Sequence, residues 1–113
     1  MNQPPTFHGA FVFRKQDHGI LSSTYFNTWD FTPYPETAKL KSKTEPADDP
    51  FTGVYETIWL EKNAHYVCDV EIILHKPGVY KILWNAAGKK GVEKYEGYGM
   101  LETELLVGFY YYN

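Results

Sequence analysis

The sequence predicts an all-β fold, an antiparallel up-and-down meander barrel of about seven to eight strands built by one domain over residues 1–113. Three observations carry that expectation. Ten Tyr, seven Phe and three Trp make 18% of the chain, and such rings fit a pleated, half-buried surface. Apolar and polar residues alternate with period two in segment after segment. The connections between segments are short, which suits antiparallel neighbours, because a parallel pair needs a crossover of roughly a dozen residues or more.

Seven segments read as strands: 7–14, 20–31, 51–60, 65–75, 79–85, 92–101 and 104–112. They are separated by Gln16-Asp17-His18-Gly19, Glu61-Lys62-Asn63-Ala64, Lys76-Pro77-Gly78, Ala87-Gly88-Lys89-Lys90-Gly91 and Glu102-Thr103, which suit hairpin connections. The stretch 33–50 departs from this pattern, with prolines at 33, 35, 46 and 50 around a mixed-charge run. It reads as one long proline-rich loop, either a cover for the barrel mouth or a disordered segment, in which 36–41 has room for one or two helical turns.

Alternation assigns the faces. In 65–75 the residues His65, Asp69, Glu71 and His75 share one parity, and Tyr66, Cys68, Val70, Ile72 and Leu74 share the other, so the second set is expected in the core. Phe7, Phe11 and Phe13 oppose His8 and Arg14 and are expected to point inward.

One motif recurs. Tyr25-x-x-x-Trp29, Tyr55-x-x-x-Trp59 and Tyr80-x-x-x-Trp84 take up all three Trp residues. On a strand, residues i and i+4 share a face about 13 Å apart. Glu56 and Lys81 fall on the opposite face, which turns the Tyr and Trp rings inward. Such rings either fill the core or line a pocket, since an eight-stranded barrel is just wide enough for packed side chains or one small ligand. Tyr25, Trp29, Tyr55, Trp59, Tyr80 and Trp84 are the candidate ligand-binding residues.

Other chemistry is weakly represented. A formal charge of −3, from 11 basic and 14 acidic side chains, provides no positive field to attract phosphates, so nucleic acid is not an expected partner. No phosphate loop, nucleophile elbow, Cys-x-x-Cys or dinucleotide fingerprint occurs. No catalytic residue, cofactor or metal site is expected. His65, Asp69 and Glu71 are strung along one strand and do not converge as ligands must. Asp48-Asp49 has the composition of a solvated turn, or of an acid/base pair or cation site. The lone Cys68 is expected to be an inert core thiol.

No secretory signal is legible near Met1, and no apolar run reaches the roughly 18–20 residues of a membrane span. A cytoplasmic protein without membrane contact is the expectation.

Gly53-Val54-Tyr55-Glu56-Thr57-Ile58-Trp59, Gly78-Val79-Tyr80-Lys81-Ile82-Leu83-Trp84, Tyr95-Glu96-Gly97-Tyr98-Gly99-Met100 and Leu105-Leu106-Val107-Gly108 together resemble the strands of small bacterial lipocalin-like, or calycin-type, barrels of uncharacterised function. The resemblance covers about the last 60 residues. It implies the meander barrel and is nearly silent on activity, because such barrels host carriers of hydrophobic ligands, haem-type binders and a few enzymes. The alternate glycines Gly97 and Gly99 have a physical role of their own, since they let a neighbouring strand coil sharply or a large ring lie over the backbone.

The expected function is therefore the binding of a small hydrophobic or aromatic ligand in a Tyr/Trp-lined interior. A ligand-free homodimer is the alternative. The apolar Val54, Ile58, Leu60, Val79 and Leu83 of the outer face and the tail Phe109-Tyr110-Tyr111-Tyr112 would form its contact surface. A barrel isomerase or cyclase would need an inward carboxylate, and parity sends Glu56, Asp69 and Glu71 outward. An oligonucleotide-binding five-stranded barrel is the architectural runner-up, disfavoured by strand count and charge.

Overall fold

In the computed structural model the chain forms eight antiparallel strands in sequence order. They are β1 (His8–Lys15), β2 (Ile20–Asn27), β3 (Tyr34–Ser42), β4 (Gly53–Glu61), β5 (Ala64–Lys76), β6 (Val79–Ala86), β7 (Glu93–Glu102) and β8 (Leu105–Tyr112). Each pairs with the next, and β8 returns to β1 through His8↔Tyr111 to Arg14↔Leu105, closing the barrel. The structure describes residues 8–29, 31–61, 64–86 and 93–112, with backbone alone at 60, 61, 93 and 94. Phe7 and the whole 87–91 connection lie outside the described residues.

The expected all-β meander is the observed architecture, with one correction. The stretch read as a loop or short helix contains β3, in which Tyr34, Glu36, Ala38 and Leu40 alternate inward against the exposed Pro35, Thr37, Lys39 and Lys41. Pro35 is tolerated because of where it falls. It faces Thr24 of β2, while pairing with β4 begins only at Glu36↔Trp59, so the missing N–H breaks no ladder on that side.

The rest of that stretch, 43–52, packs under the barrel as a plug. Phe51 and Thr52 are buried, and the Phe51 ring meets the Tyr80 ring edge-on at 6.0 Å. Asp49, far from being a solvated turn residue, organises this plug. Its Oδ2 accepts the backbone N–H groups of Phe51 and Thr52 at 2.9 and 3.0 Å, and its Oδ1 accepts the Tyr80 hydroxyl at 2.8 Å. Lys43 Nζ donates to the carbonyls of Asp49 and Thr52. Tyr55 donates its hydroxyl to the Phe51 carbonyl at 2.8 Å. Burial first, and the Asp49 charge second, push the Tyr55 phenol up to about 12 and raise Tyr80 as well, so both hydroxyls remain donors.

Above the plug, Phe11, Phe13, Leu21, Val70, Ile72, Ile82 and Leu106 fill the barrel. Cys68 is buried among them, as its parity predicts. Gly99 and Gly108 face each other across β7 and β8, and the Phe11 ring lies over both. A Cβ on Gly108 would collide with the Tyr98 carbonyl oxygen and come within 2.6 Å of Gly99 Cα and 2.8 Å of Phe11 Cζ. The bare glycines therefore let β8 approach β7 closely where the sheet coils back to β1.

On the outer wall, Met100 and Phe109 are 55% and 54% exposed beside the half-buried Val79 and Val107. Asp69, which parity sends outward, is covered by Lys41 at 3.2 Å.

Because the obstruction at Gly108 is mainly backbone, Gly108→Ala is expected to lower stability by roughly 1–3 kcal/mol, the usual range for overpacking. Urea denaturation measures this, and wild-type stability in the variant would contradict the close approach.

Candidate functional site

Among the described residues, no segment closes the end of the barrel opposite the plug. There the inward residues of several strand ends converge on a cavity of about 520 Å³, within the roughly 300–1,000 Å³ usual for small-molecule sites. Tyr25 comes from β2, Trp59 from β4, Trp84 from β6, Tyr95 from β7, and Tyr110 and Tyr112 from β8. Asn27 and Trp29 complete one side, and Glu36 of β3 lies in the floor.

The rings form a continuous wall. Tyr25 meets Trp59 edge-on at 6.4 Å and Tyr110 at 6.3 Å. Tyr110 meets Trp84 at 5.4 Å and Tyr95 at 5.8 Å, and Tyr95 meets Tyr112 edge-on at 5.4 Å. Phe11 and Phe13 pack beneath Trp84 at 5.6 and 6.5 Å, so its ring is held from below. Tilted and edge-on contacts of this kind let positive ring edges meet negative ring faces, which gives the wall preferred orientations.

Asn27 ties the mouth together. Its Nδ2 donates to the Tyr110 hydroxyl oxygen at 3.2 Å, and its Oδ1 accepts the Trp29 backbone N–H at 3.0 Å. Trp29 is 74% exposed and Tyr112 67% exposed, so two aromatic side chains stand at the rim in contact with water.

Four of the six residues expected from the Tyr-x-x-x-Trp motif are brought together here: Tyr25, Trp29, Trp59 and Trp84. Tyr55 and Tyr80 are not, because i and i+4 on a strand are one barrel layer apart. They lie at the closed end and hold the plug. Trp29 has a different origin from the other two Trp residues, since it lies beyond the end of β2 in the turn that Asn27 organises.

Glu36 was absent from the sequence expectation. Its carboxyl is the inward one, 5% exposed, while Glu56, Asp69 and Glu71 lie on the outer face as parity predicts. The signal lay in 34–42, where Glu36 shares its parity with the apolar Ala38 and Leu40 and opposes Lys39 and Lys41. Prolines at both ends of the stretch masked it.

Burial dominates the electrostatics of Glu36, raising its pKa from 4.5 to about 7, while the side chains of Ser23, Trp84 and Thr57 work in the other direction by favouring the ionised form. Ser23 sits directly across from Glu36 on β2. Its Oγ is buried and has no partner in hydrogen-bond geometry, so it acts on the carboxyl as a neighbouring dipole. Thr57 already directs its hydroxyl to the Cys68 carbonyl at 3.3 Å. Among the described residues, no Lys, Arg or His lines the cavity.

The raised pKa has a stability consequence of known sign. The folded state holds the Glu36 proton more tightly than the unfolded chain, so stability is fully present below about pH 4.5 and declines as pH rises through about 7. Glu36→Gln removes that decline. The variant is expected to match the wild type near pH 4.5 and to exceed it by on the order of 3 kcal/mol at pH 8. Chemical denaturation of both proteins across this range measures the difference, and a gap independent of pH would show that Glu36 titrates normally.

Comparison of the chain with family models, with curated proteins and with solved structures gives no match.

Proposed function

We propose that this barrel binds a small hydrophobic or aromatic ligand through its open end, in the manner of the lipocalin-like barrels that its C-terminal strands resemble. The observation that carries the reading is the cavity of about 520 Å³ walled by Tyr25, Trp59, Trp84, Tyr95 and Tyr110. An interior meant only for packing would be filled, because protein cores leave few voids larger than a water molecule. The plug end of this same barrel is filled in that way.

The division of the interior also separates binding from stability. Trp59 stacks on Tyr66 at 5.5 Å on one side and lines the cavity on the other, so its truncation enlarges the site and removes a stacking surface. Tyr80 donates to Asp49 beneath the core, and its hydroxyl has no access to the cavity.

Titration with a panel of neutral aromatic and aliphatic alcohols, retinoids and flavonoids is expected to quench or blue-shift tryptophan emission and to raise the melting temperature. Trp59→Ala is expected to weaken the best binder about tenfold, as loss of a good aromatic contact does. Tyr80→Phe is expected to leave affinity unchanged while lowering stability by about 1 kcal/mol. Unchanged fluorescence and melting temperature across the whole panel would remove the basis for a ligand site.

A further inference from the structure

Resting on the pocket reading above, we propose that the ligand is an organic ammonium: a small amine with an apolar or aromatic body, inserted head first so that its cationic group reaches Glu36. Three independent features of the cavity favour that charge. Among the described residues, the only ionisable group in it other than tyrosine phenols is a carboxylate, set in the floor at 5% exposure. No cationic side chain among the described residues lines it, so a carboxylate or phosphate head would meet Glu36 there with no counter-charge. The walls are Tyr and Trp rings, whose negative faces attract a cation within about 6 Å and do so more strongly when water is excluded.

The surroundings of Glu36 supply part of the solvation that an ion pair needs and leave part of it open. Trp84 from β6 and Thr57 from β4 assist the ionised form. The Ser23 hydroxyl across the β2–β3 pair also assists the ionised form, and its buried oxygen, which receives no hydrogen bond among the described residues, is able to accept an N–H from the same ammonium. A buried carboxylate without a cation is unfavourable, and a buried pair with its remaining hydrogen bonds met is far less so. A primary or secondary ammonium with two or more N–H groups fits this floor.

Binding of such a ligand is coupled to the protonation of Glu36. Among the described residues, the other titratable groups lining the cavity are the phenols of Tyr25 on β2, Tyr95 on β7 and Tyr110 and Tyr112 on β8. The cation therefore draws the carboxyl into its ionised form and releases a proton, and affinity rises with pH across the Glu36 transition.

Three probes of similar shape separate the possibilities: 2-phenylethylammonium, the neutral 2-phenylethanol and the anionic 3-phenylpropanoate. Calorimetric titration of the wild type at pH 8 is expected to show the ammonium binding at least tenfold more tightly than the alcohol, with the anion weakest. Ammonium affinity is expected to fall about tenfold between pH 8 and pH 6. Repeating the titration near pH 7 in buffers of different ionisation enthalpy is expected to reveal the proton released, and this readout needs no variant. Glu36→Gln is expected to retain alcohol binding and to lose the preference for the ammonium.

Equal or tighter binding of the alcohol, or preference for the anion, would overturn the ammonium proposal and leave the pocket reading standing. An ammonium affinity independent of pH, without proton release, would overturn it also. Failure of all three probes would overturn it, and the same failure across the neutral panel would remove the pocket reading with it.

Discussion

Closure of β8 onto β1 is the constraint from which the rest of this molecule follows. Seven residue pairs in register, His8↔Tyr111 through Arg14↔Leu105, remove the two edges an open sheet would expose. They also divide every strand into an inner and an outer face. An eight-stranded ring has little interior volume, so each inward side chain competes for space with those of the facing strands. Gly99 and Gly108 yield that space to Phe11, and Gly9 does the same for Tyr110, whose ring occupies the place a Cβ would take.

The two ends of the barrel use their aromatic residues for opposite purposes. At the plug, Tyr55 and Tyr80 are tethered through their hydroxyls to the 43–52 segment, with Asp49 and Lys43 meeting the backbone polar groups that a buried loop must satisfy. At the mouth, Trp59 and Trp84 stand one layer higher on the same strands and face a cavity. In β4 and β6 Tyr-x-x-x-Trp is thus one motif with two tasks. Its tyrosine secures the floor plug and its tryptophan shapes the open site. The spacing of four residues, about 13 Å of strand, is what carries the chain from one layer to the other.

Much of this was legible in the residues because a closed barrel imposes period two on most of each strand, although Tyr66, expected inside, is 43% exposed, and Asp69 is buried between Cys68 and Val70. The inward places of Phe11, Phe13, Cys68, Val70 and Ile72 follow from alternation alone, as does the outward place of Asp69. The failures have local physical causes. β3 sets three charged residues, Glu36, Lys39 and Lys41, among single apolar ones and begins with Tyr34-Pro35, a composition that strand propensities disfavour. Tertiary pairing with β2 and β4 overrides them, and Pro35 escapes penalty only through the offset between the two ladders. Which Tyr of a Tyr-x-x-x-Trp pair meets the ligand cavity was not legible, because alternation specifies a face but not a height. Height is set by register, and register emerges only when all eight strands are paired. The role of Asp49 was hidden for the same reason, since Tyr80 reaches it from 31 residues away.

Glu36 shows how register creates chemistry at a position where composition offers little sign of it. A shift of β3 by one residue would turn Glu36 to solvent and bring Lys39 and Lys41 inward, so the same pairing that buries Ala38 obliges the carboxyl to face the cavity. An apolar residue there would serve packing better, because an ionised buried carboxylate opposes folding near neutrality. Around it the barrel provides partial compensation: a hydroxyl at Ser23, another at Thr57 and the indole of Trp84. None of these is a cation, and none carries a full charge to balance it. The register that buries Ala38 therefore holds the carboxyl at the cavity, where hydroxyl and indole dipoles rather than a full charge surround it among the described residues.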